Sequence, residues 1–167
     1  MNNSDFKKLL NRNKYQIFLL SCPCSIPLSF ASHNWFVINK KGEISRWEVA
    51  HKKWNNETRW GYLYKNLHTP NDGKINSGIE IIYGISKWHW RSKLIDYIEG
   101  DENSLAQKIV DFIENSKDTY KQKETYNFLG PNSNSYIQWI INNFPESNFK
   151  LSKNSIGRNF KYIPKTS

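Results

Sequence analysis

Cysteine is scarce in this sequence, and the little there is argues against disulfides and metal sites. Only two cysteines occur among 167 residues, Cys22 and Cys24, with one proline between them. Cysteines this close rarely bridge because the disulfide would be strained. A zinc site needs a second cysteine pair or suitably spaced histidines, and neither accompanies them. We therefore expect reduced thiols and no bound metal ion.

Long apolar runs and linker-like segments are also missing. No run approaches the roughly 20 residues that a membrane-spanning helix needs, and no Gly/Ser-rich linker or internal repeat divides the chain. A basic stretch before Ile17–Cys22 loosely imitates a lipoprotein signal, but its apolar core is too short. We expect one domain over residues 1–167, with a basic tail from about residue 163, no membrane span and a cytoplasmic location.

Acidic residues are fewer than basic ones, which leaves a formal net charge of +9. A basic surface with many aromatic rings is one signature of nucleic-acid binding. The sequence nevertheless lacks an RNP-like pair of aromatic strands, helix-turn-helix spacing and a zinc-finger pattern. Acidic residues also outnumber basic ones by eight to four from Ile95 to Glu124. A basic module that binds nucleic acid or an anionic surface stays one alternative.

Periodicity predicts an α+β fold in which an antiparallel sheet packs against helices. The apolar spacing predicts helices over about 4–11, 104–117 and 136–144, and strands over about 15–20, 32–38, 44–50 and 79–85. Ser104 with Gln107 and Ser135 with Gln138 have the spacing of capping boxes. Residues 51–78 carry aromatic anchors in an irregular stretch, in which Trp54 to Tyr64 forms either a wall or a lid of a cleft.

The segment G-P-N-S-N-S-Y, from Gly130 to Tyr136, places hydroxyls and free backbone amides at the start of the last helix. The first amides of a helix lack internal partners and carry partial positive charge. Two interpretations follow. The segment is either a capped structural turn or a nucleophile that faces a developing oxyanion.

A histidine and a carboxylate upstream favour the chemical interpretation. His33 lies on the predicted strand 32–38 and Glu48 on the antiparallel strand that follows it. Together they can supply a base and the group that orients it, as a hydroxyl nucleophile requires. Cys22 and Cys24 remain rival nucleophiles near His33. The other histidines, at positions 51, 68 and 89, stand singly and suggest no shared site.

Three motifs resemble a bacterial domain-of-unknown-function family. Residues 129–136 are similar to its G-P-N-S-N-T-F signature, and residues 154–160 resemble its closing T-A-I-G-K/R-D-F/W segment. The stretch from Ser32 to Val49 resembles its H-x-W and R-x-E-V elements. The differences are Ser135 in place of threonine and Tyr136 in place of phenylalanine. Order and separation agree over roughly residues 15–162.

That family in turn resembles the circularly permuted papain-like proteins, which include NlpC-type peptidases and lecithin retinol acyltransferase-like enzymes. In those proteins the histidine strand precedes the nucleophile helix, and Ser133 falls where their catalytic cysteine would be. The resemblance implies Ser133 as nucleophile, His33 as base and Glu48 as orienter. It also implies oxyanion donors among the backbone amides around Ser133 and Asn134, with Asn132 and Asn134 supporting the site.

This resemblance predicts an acyl hydrolase or acyltransferase that acts on a small amide or ester and needs no cofactor. The alternative is a catalytically silent protein of the same fold. In that protein Ser133 acts only as a cap, and His33 and Glu48 stabilise the junction between hairpin and helix or bind a small polar ligand.

Overall fold

A six-stranded antiparallel sheet forms the centre of the computed structural model, which describes residues 3–68, 78, 80–83 and 86–161. Its strands are β1 (Tyr15–Pro23), β2 (Ser32–Lys40), β3 (Glu43–Val49), β4 (Arg59–Trp60), β5 (Leu63–Lys65) and β8 (Lys93–Gly100). They lie in the order β4-β5-β3-β2-β1-β8. Two further strands, β6 (Glu80–Tyr83) and β7 (Ser86–His89), pair with each other in a second, two-stranded sheet.

Helices cover the sheet. The helices are α1 (Asn3–Leu9), α2 (Leu105–Thr119) and α3 (Ser133–Asn143). Helix α2 packs against β1 and β8, and α3 packs against β2 and β3. The side chain of Ser104 caps α2 by accepting a hydrogen bond from the Gln107 amide, as predicted from their spacing. Among the described residues, no helix combines the length and the apolar character that a bilayer crossing requires.

Two apolar cores lie on opposite faces of the sheet because side chains alternate along each strand. On the face of α2 and α3, residues such as Ile17 and Phe36 pack with the apolar sides of these helices. On the other face, Phe6 of α1 meets Phe18 with ring centroids 5.0 Å apart, in a core that includes Trp35. Because both faces of the sheet are covered, nearly every residue of β1 and β2 is buried.

The predicted α+β class and antiparallel sheet are confirmed, and the helix predicted over 104–117 is α2. The predicted start of the last helix is wrong. The helix begins at Ser133, with Asn132 as its cap, and Ser135 belongs to its first turn. In the capping box of the structure, the Ser135 hydroxyl accepts a hydrogen bond from the Asn132 amide, so Ser135 is the third helical residue and not the cap. Its capping-box spacing to Gln138 was therefore a misleading match.

Other boundaries differ from the predicted ones for local reasons. The 51–78 stretch contains the short strands β4 and β5, because β5 pairs with β3 and β4 pairs with β5, which orders residues whose sequence shows no clear alternation. Strand β8 has mostly exposed side chains, so no apolar pattern predicted it. Strand β6 (Glu80–Tyr83) falls within the strand predicted over 79–85, and the tail predicted from about residue 163 lies outside the described residues.

Candidate active site

The start of α3 is built around Asn132. Its Oδ1 accepts hydrogen bonds from the amides of Asn134 and Ser135 at 3.0 and 3.2 Å, while the Ser135 hydroxyl accepts from the Asn132 amide at 3.3 Å. This reciprocal capping box fixes where the helix begins. It therefore places Ser133, the first helical residue, at a defined position on the rim of the sheet.

Ser133, His33 and Glu48 form a continuous hydrogen-bond chain. The Ser133 Oγ lies 2.9 Å from His33 Nδ1, and His33 Nε2 lies 2.8 Å from Glu48 Oε2. A carboxylate only accepts, so Nε2 carries the proton in the neutral ring and Nδ1 accepts from the serine hydroxyl. The ring is thus reversed relative to the Ser-His-Asp triad of chymotrypsin-type proteases, in which Nε2 faces the nucleophile.

Arg46 extends this chain by one member. Its Nε forms an ion pair with Glu48 Oε1 at 2.5 Å, and its Nη2 donates to Glu48 Oε2 at 2.8 Å. Burial by itself raises the pKa of Glu48, but the charge of Arg46 and the hydrogen bond from His33 outweigh it and hold the pKa well below its usual range. Glu48 is therefore a carboxylate when it bonds to His33.

Trp35 contacts both Arg46 and His33. The Arg46 guanidinium lies 4.2 Å from the centre of the Trp35 ring, and the His33 ring stacks on it at 5.7 Å. His33 and Trp35 share one face of β2, and Arg46 and Glu48 share the same face of β3, because residues two apart on a strand point the same way. The alternation of side chains along the two strands of the hairpin thus places His33, Arg46 and Glu48 next to one another on one face.

A second set of polar contacts fastens the helix start to the sheet. Asn34 Nδ2 donates to Asn134 Oδ1 at 2.7 Å, and Asn134 Nδ2 donates to the carbonyl of Ser32 at 2.9 Å and to that of Ile156 at 2.8 Å. Asn132 Nδ2 also donates to the Ile156 carbonyl, at 3.1 Å. Strand β2, helix α3 and the segment around Ile156 are therefore held in one register around Ser133.

The amides at the helix start are not equivalent as oxyanion donors. The amide of Asn134 is occupied by Asn132 Oδ1, whereas that of Ser133 has no acceptor within the part of the chain that the structure describes. The amide groups of the Asn132 and Asn134 side chains donate to backbone carbonyls instead. Among the groups predicted to bind an oxyanion, the Ser133 amide is the one with an open donor.

The cysteines do not occupy the position of a nucleophile on His33. Cys22 lies across from His33 in the β1–β2 register, but both ring nitrogens of His33 bond to Ser133 and Glu48. Burial raises the pKa of the Cys24 thiol to about 11, which disfavours its thiolate. Neither cysteine forms a disulfide, and the described residues contain no cluster of three or more His, Cys, Asp and Glu that suits a metal ion.

An aromatic group borders the site beyond Glu48. The His51 ring lies edge-on to Trp54 at 5.2 Å and to Tyr126 at 6.4 Å, and Tyr126 packs on Tyr62 at 5.7 Å. Partial burial and the proximity of Lys52 and His33 lower the pKa of His51. The stretch predicted as a wall or a lid therefore contacts His51 through Trp54, and it contacts Tyr126 through Tyr62. The His89 side chain lies outside the described residues.

A family comparison covers this whole arrangement. A family model described as "Protein of unknown function (DUF3750)" matches residues 22–160. The chain belongs to this family. The DUF3750 match spans the hairpin of His33 and Glu48, the helix start at Ser133 and the closing segment to Phe160, so membership of a domain-of-unknown-function family is confirmed. Searches of curated proteins and of solved structures gave no match.

Arg46 belongs to the site but was not among the candidate residues predicted from the sequence. It stands two positions before Glu48 in the R-W-E-V stretch, and this spacing puts both side chains on one face of a strand. A basic residue two before a candidate carboxylate on a buried strand was the available signal. In the sequence, the hydrogen-bond network at the helix start appears only as two separate motifs, residues 129–136 and 154–160, because 22 residues separate Asn134 from Ile156.

Proposed function

We propose that this protein is a serine-dependent acyl hydrolase or acyltransferase with a permuted papain-like arrangement, acting on an amide or ester. The observation that supports this most directly is the chain Ser133 Oγ to His33 Nδ1 at 2.9 Å and His33 Nε2 to Glu48 at 2.8 Å. A nucleophile bonded to a base, with the base oriented by a third group, is the recurring geometry of nucleophilic catalysis. No cofactor takes part in the proposed reaction.

In the first step Ser133 Oγ attacks the carbonyl carbon, and its proton passes to His33 Nδ1. The carbonyl oxygen becomes an oxyanion beside the Ser133 amide and the positive end of α3. His33 then returns the proton to the leaving nitrogen or oxygen as the tetrahedral intermediate collapses to an acyl-serine. Water, or another acceptor, then gives a proton to His33 and attacks the acyl carbon. The bond from this carbon to Ser133 Oγ breaks and His33 returns the proton to that oxygen, which completes hydrolysis or transfer.

Glu48 and Arg46 act through His33. Glu48 holds the proton on Nε2, which leaves Nδ1 as the acceptor for the serine hydroxyl, and its charge stabilises the imidazolium of the intermediate. Arg46 keeps this carboxylate ionised and fixed in place. In this scheme Ser133 and His33 touch the reacting atoms, while Glu48 and Arg46 position the base.

A fluorophosphonate probe tests the proposal, because it forms a covalent bond with a serine activated by a base. The intact protein should be labelled at Ser133, as peptide mass spectrometry will show, and Ser133→Ala should abolish labelling. His33→Ala should slow labelling by about 10²–10⁴-fold, the usual contribution of a general base. A panel of p-nitrophenyl esters and amides then tests turnover.

Two variants serve as controls for this experiment. Ser29→Ala removes an exposed loop serine, and His51→Ala removes a histidine of the aromatic border; both should be labelled at nearly the normal rate. Unchanged labelling of His33→Ala would exclude His33 as the base. Failure of the folded, intact protein to react would favour the silent alternative, in which the same hydrogen bonds only join the hairpin to the helix.

A further inference from the structure

Exposed apolar side chains concentrate in three loops at one end of the sheet. One loop joins β1 to β2 (residues 24–31), one precedes α3 (125–132) and one follows it (152–160). Phe30 is 64% exposed and Leu129 is 71% exposed, values unusual for large apolar residues. The exposed apolar residues of these loops, which we call the loop rim, are Ile26, Leu28, Phe30, Phe128, Leu129 and Phe160.

Backbone and side-chain contacts bring the three loops together. Asn154 Nδ2 donates to the carbonyl of Phe30 at 3.3 Å, and the amide of Ser32 donates to the carbonyl of Asn154 at 3.0 Å. Leu129 and Phe160 line one cavity of about 290 Å³. The rim is therefore one region of surface, and its Leu129 stands four residues before Ser133.

Charge is distributed unevenly about the loop rim. The three loops contain no Asp or Glu, whereas Lys153 and Arg158 line the cavity beside Leu129 and Lys161 follows Phe160. Acidic residues collect at the opposite end of the strands, where Lys40 contacts Asp111 and Glu114. The register sets these ends apart, because Pro23 pairs with Ser32 at one end of the β1–β2 ladder and Tyr15 with Lys40 at the other.

We propose that the loop rim docks on the surface of an anionic lipid bilayer. The apolar tips enter the interfacial region while Lys153, Arg158 and Lys161 contact lipid phosphates, and the acidic end of the molecule points away. Beside its three phenylalanines the rim carries the aliphatic Ile26, Leu28 and Leu129, which can enter a lipid interface but offer no ring on which a nucleobase could stack, so this mixed surface fits lipid better than nucleic acid. This docking is a separate property from the proposed acyl chemistry.

Sedimentation with vesicles tests the proposal directly. The full chain should sediment with phosphatidylcholine vesicles that contain 30 mol% phosphatidylglycerol, more weakly with pure phosphatidylcholine, and less as salt is raised. Phe30→Ser combined with Leu129→Ser should weaken vesicle binding by at least about tenfold, because two large apolar side chains no longer enter the interface. Lys153→Gln with Lys161→Gln should reduce the preference for anionic lipid.

Matched variants separate docking from folding and from chemistry. Ile95→Ser, on the edge strand β8 and 39% exposed, removes an apolar side chain outside the rim and should bind vesicles normally. Lys108→Gln, on α2, is the control for charge. Ser133→Ala should bind as the unaltered protein does, so a failed reaction and a failed docking are distinguishable. Circular dichroism checks that each variant is folded.

Three results would overturn the docking proposal. The protein could remain in the supernatant with anionic vesicles at low salt. The folded Phe30→Ser, Leu129→Ser variant could sediment as strongly as the unaltered chain. A single-stranded oligonucleotide could release the protein from vesicles and also bind the variant with the two rim substitutions as tightly as the unaltered chain. That result would assign the basic surface to nucleic acid.

Discussion

At the scale of the residue, the charge of Glu48 depends on Arg46. A carboxyl group this deeply buried is normally neutral, because removal of a charge from water costs more than one hydrogen bond returns. The guanidinium contacts both carboxylate oxygens and packs on Trp35, so the ionised form is the stable one. Removing one partner of a buried ion pair leaves the other uncompensated.

We expect Arg46→Met to lower the free energy of unfolding by about 3–5 kcal/mol, the usual cost of stranding a buried charge. The pKa of Glu48 should rise in this variant. Arg46→Met combined with Glu48→Gln should recover much of the loss, because the pair is then neutral. Urea denaturation measures all three proteins, and Lys14→Met, which breaks the exposed pair with Asp101, is the control. If Arg46→Met is no less stable than the Lys14→Met control, the role given to Arg46 is wrong.

At the scale of the element, the first turn of α3 depends on a segment that comes later in the chain. Gly157 stands at φ 89°, and a Cβ there would lie 2.4 Å from the Asn132 side chain. The close approach lets Asn132 both cap the helix and bond to the Ile156 carbonyl. The helix start is therefore positioned by tertiary contacts as well as by its own cap.

Asn132→Ala should cost about 0.5–2 kcal/mol of stability for the lost cap, and it should also slow labelling of Ser133, because the helix start is no longer fixed. Ser104→Ala removes the equivalent cap of α2 and should cost a similar amount. Labelling of Ser133 should be unaffected by that second change. Thermal unfolding and probe kinetics measure both variants. Equal labelling rates in the two would mean that the Asn132 contacts do not position Ser133.

At the scale of the whole molecule, the central strands carry both cores and connect the site to the rest of the fold. Strands β1 and β2 are buried on both faces, and β2 supplies His33 near its beginning while β3 supplies Glu48 near its end. An ion pair buried in such a place couples the protonation of one residue to the stability of the entire chain.

Acid should therefore destabilise the protein through Glu48. Its folded pKa is held below the ordinary value of 4.5, so the unfolded chain binds the proton more tightly. The stabilising contribution is present above pH 4.5 and is lost as pH falls below it. In urea titrations from about pH 6 to 3, the unaltered protein should lose up to about 1.4 kcal/mol per pH unit more than Glu48→Gln. Parallel curves for the two proteins would contradict this assignment.

Local sequence patterns determined much of this architecture by themselves. Periodicity and capping residues predicted α2 and the His33–Glu48 hairpin, because these features depend on neighbours within a few positions. The chemical character of Ser133, His33 and Glu48 was also visible as residue types in a suitable order. The backbone geometry now places these three within hydrogen-bond distance, and their roles in catalysis stay a proposal.

Only the tertiary structure decided that Ser133 meets His33 and how the start of α3 is fastened to the closing segment. Both depend on partners far away in the sequence: Ser133 meets His33 across 100 residues, and Asn132 meets Ile156 across 24. Strand β8 is likewise held by pairing with β1 rather than by an apolar pattern of its own. Long-range packing and burial set these contacts, and a local pattern of residue types carries no information about either.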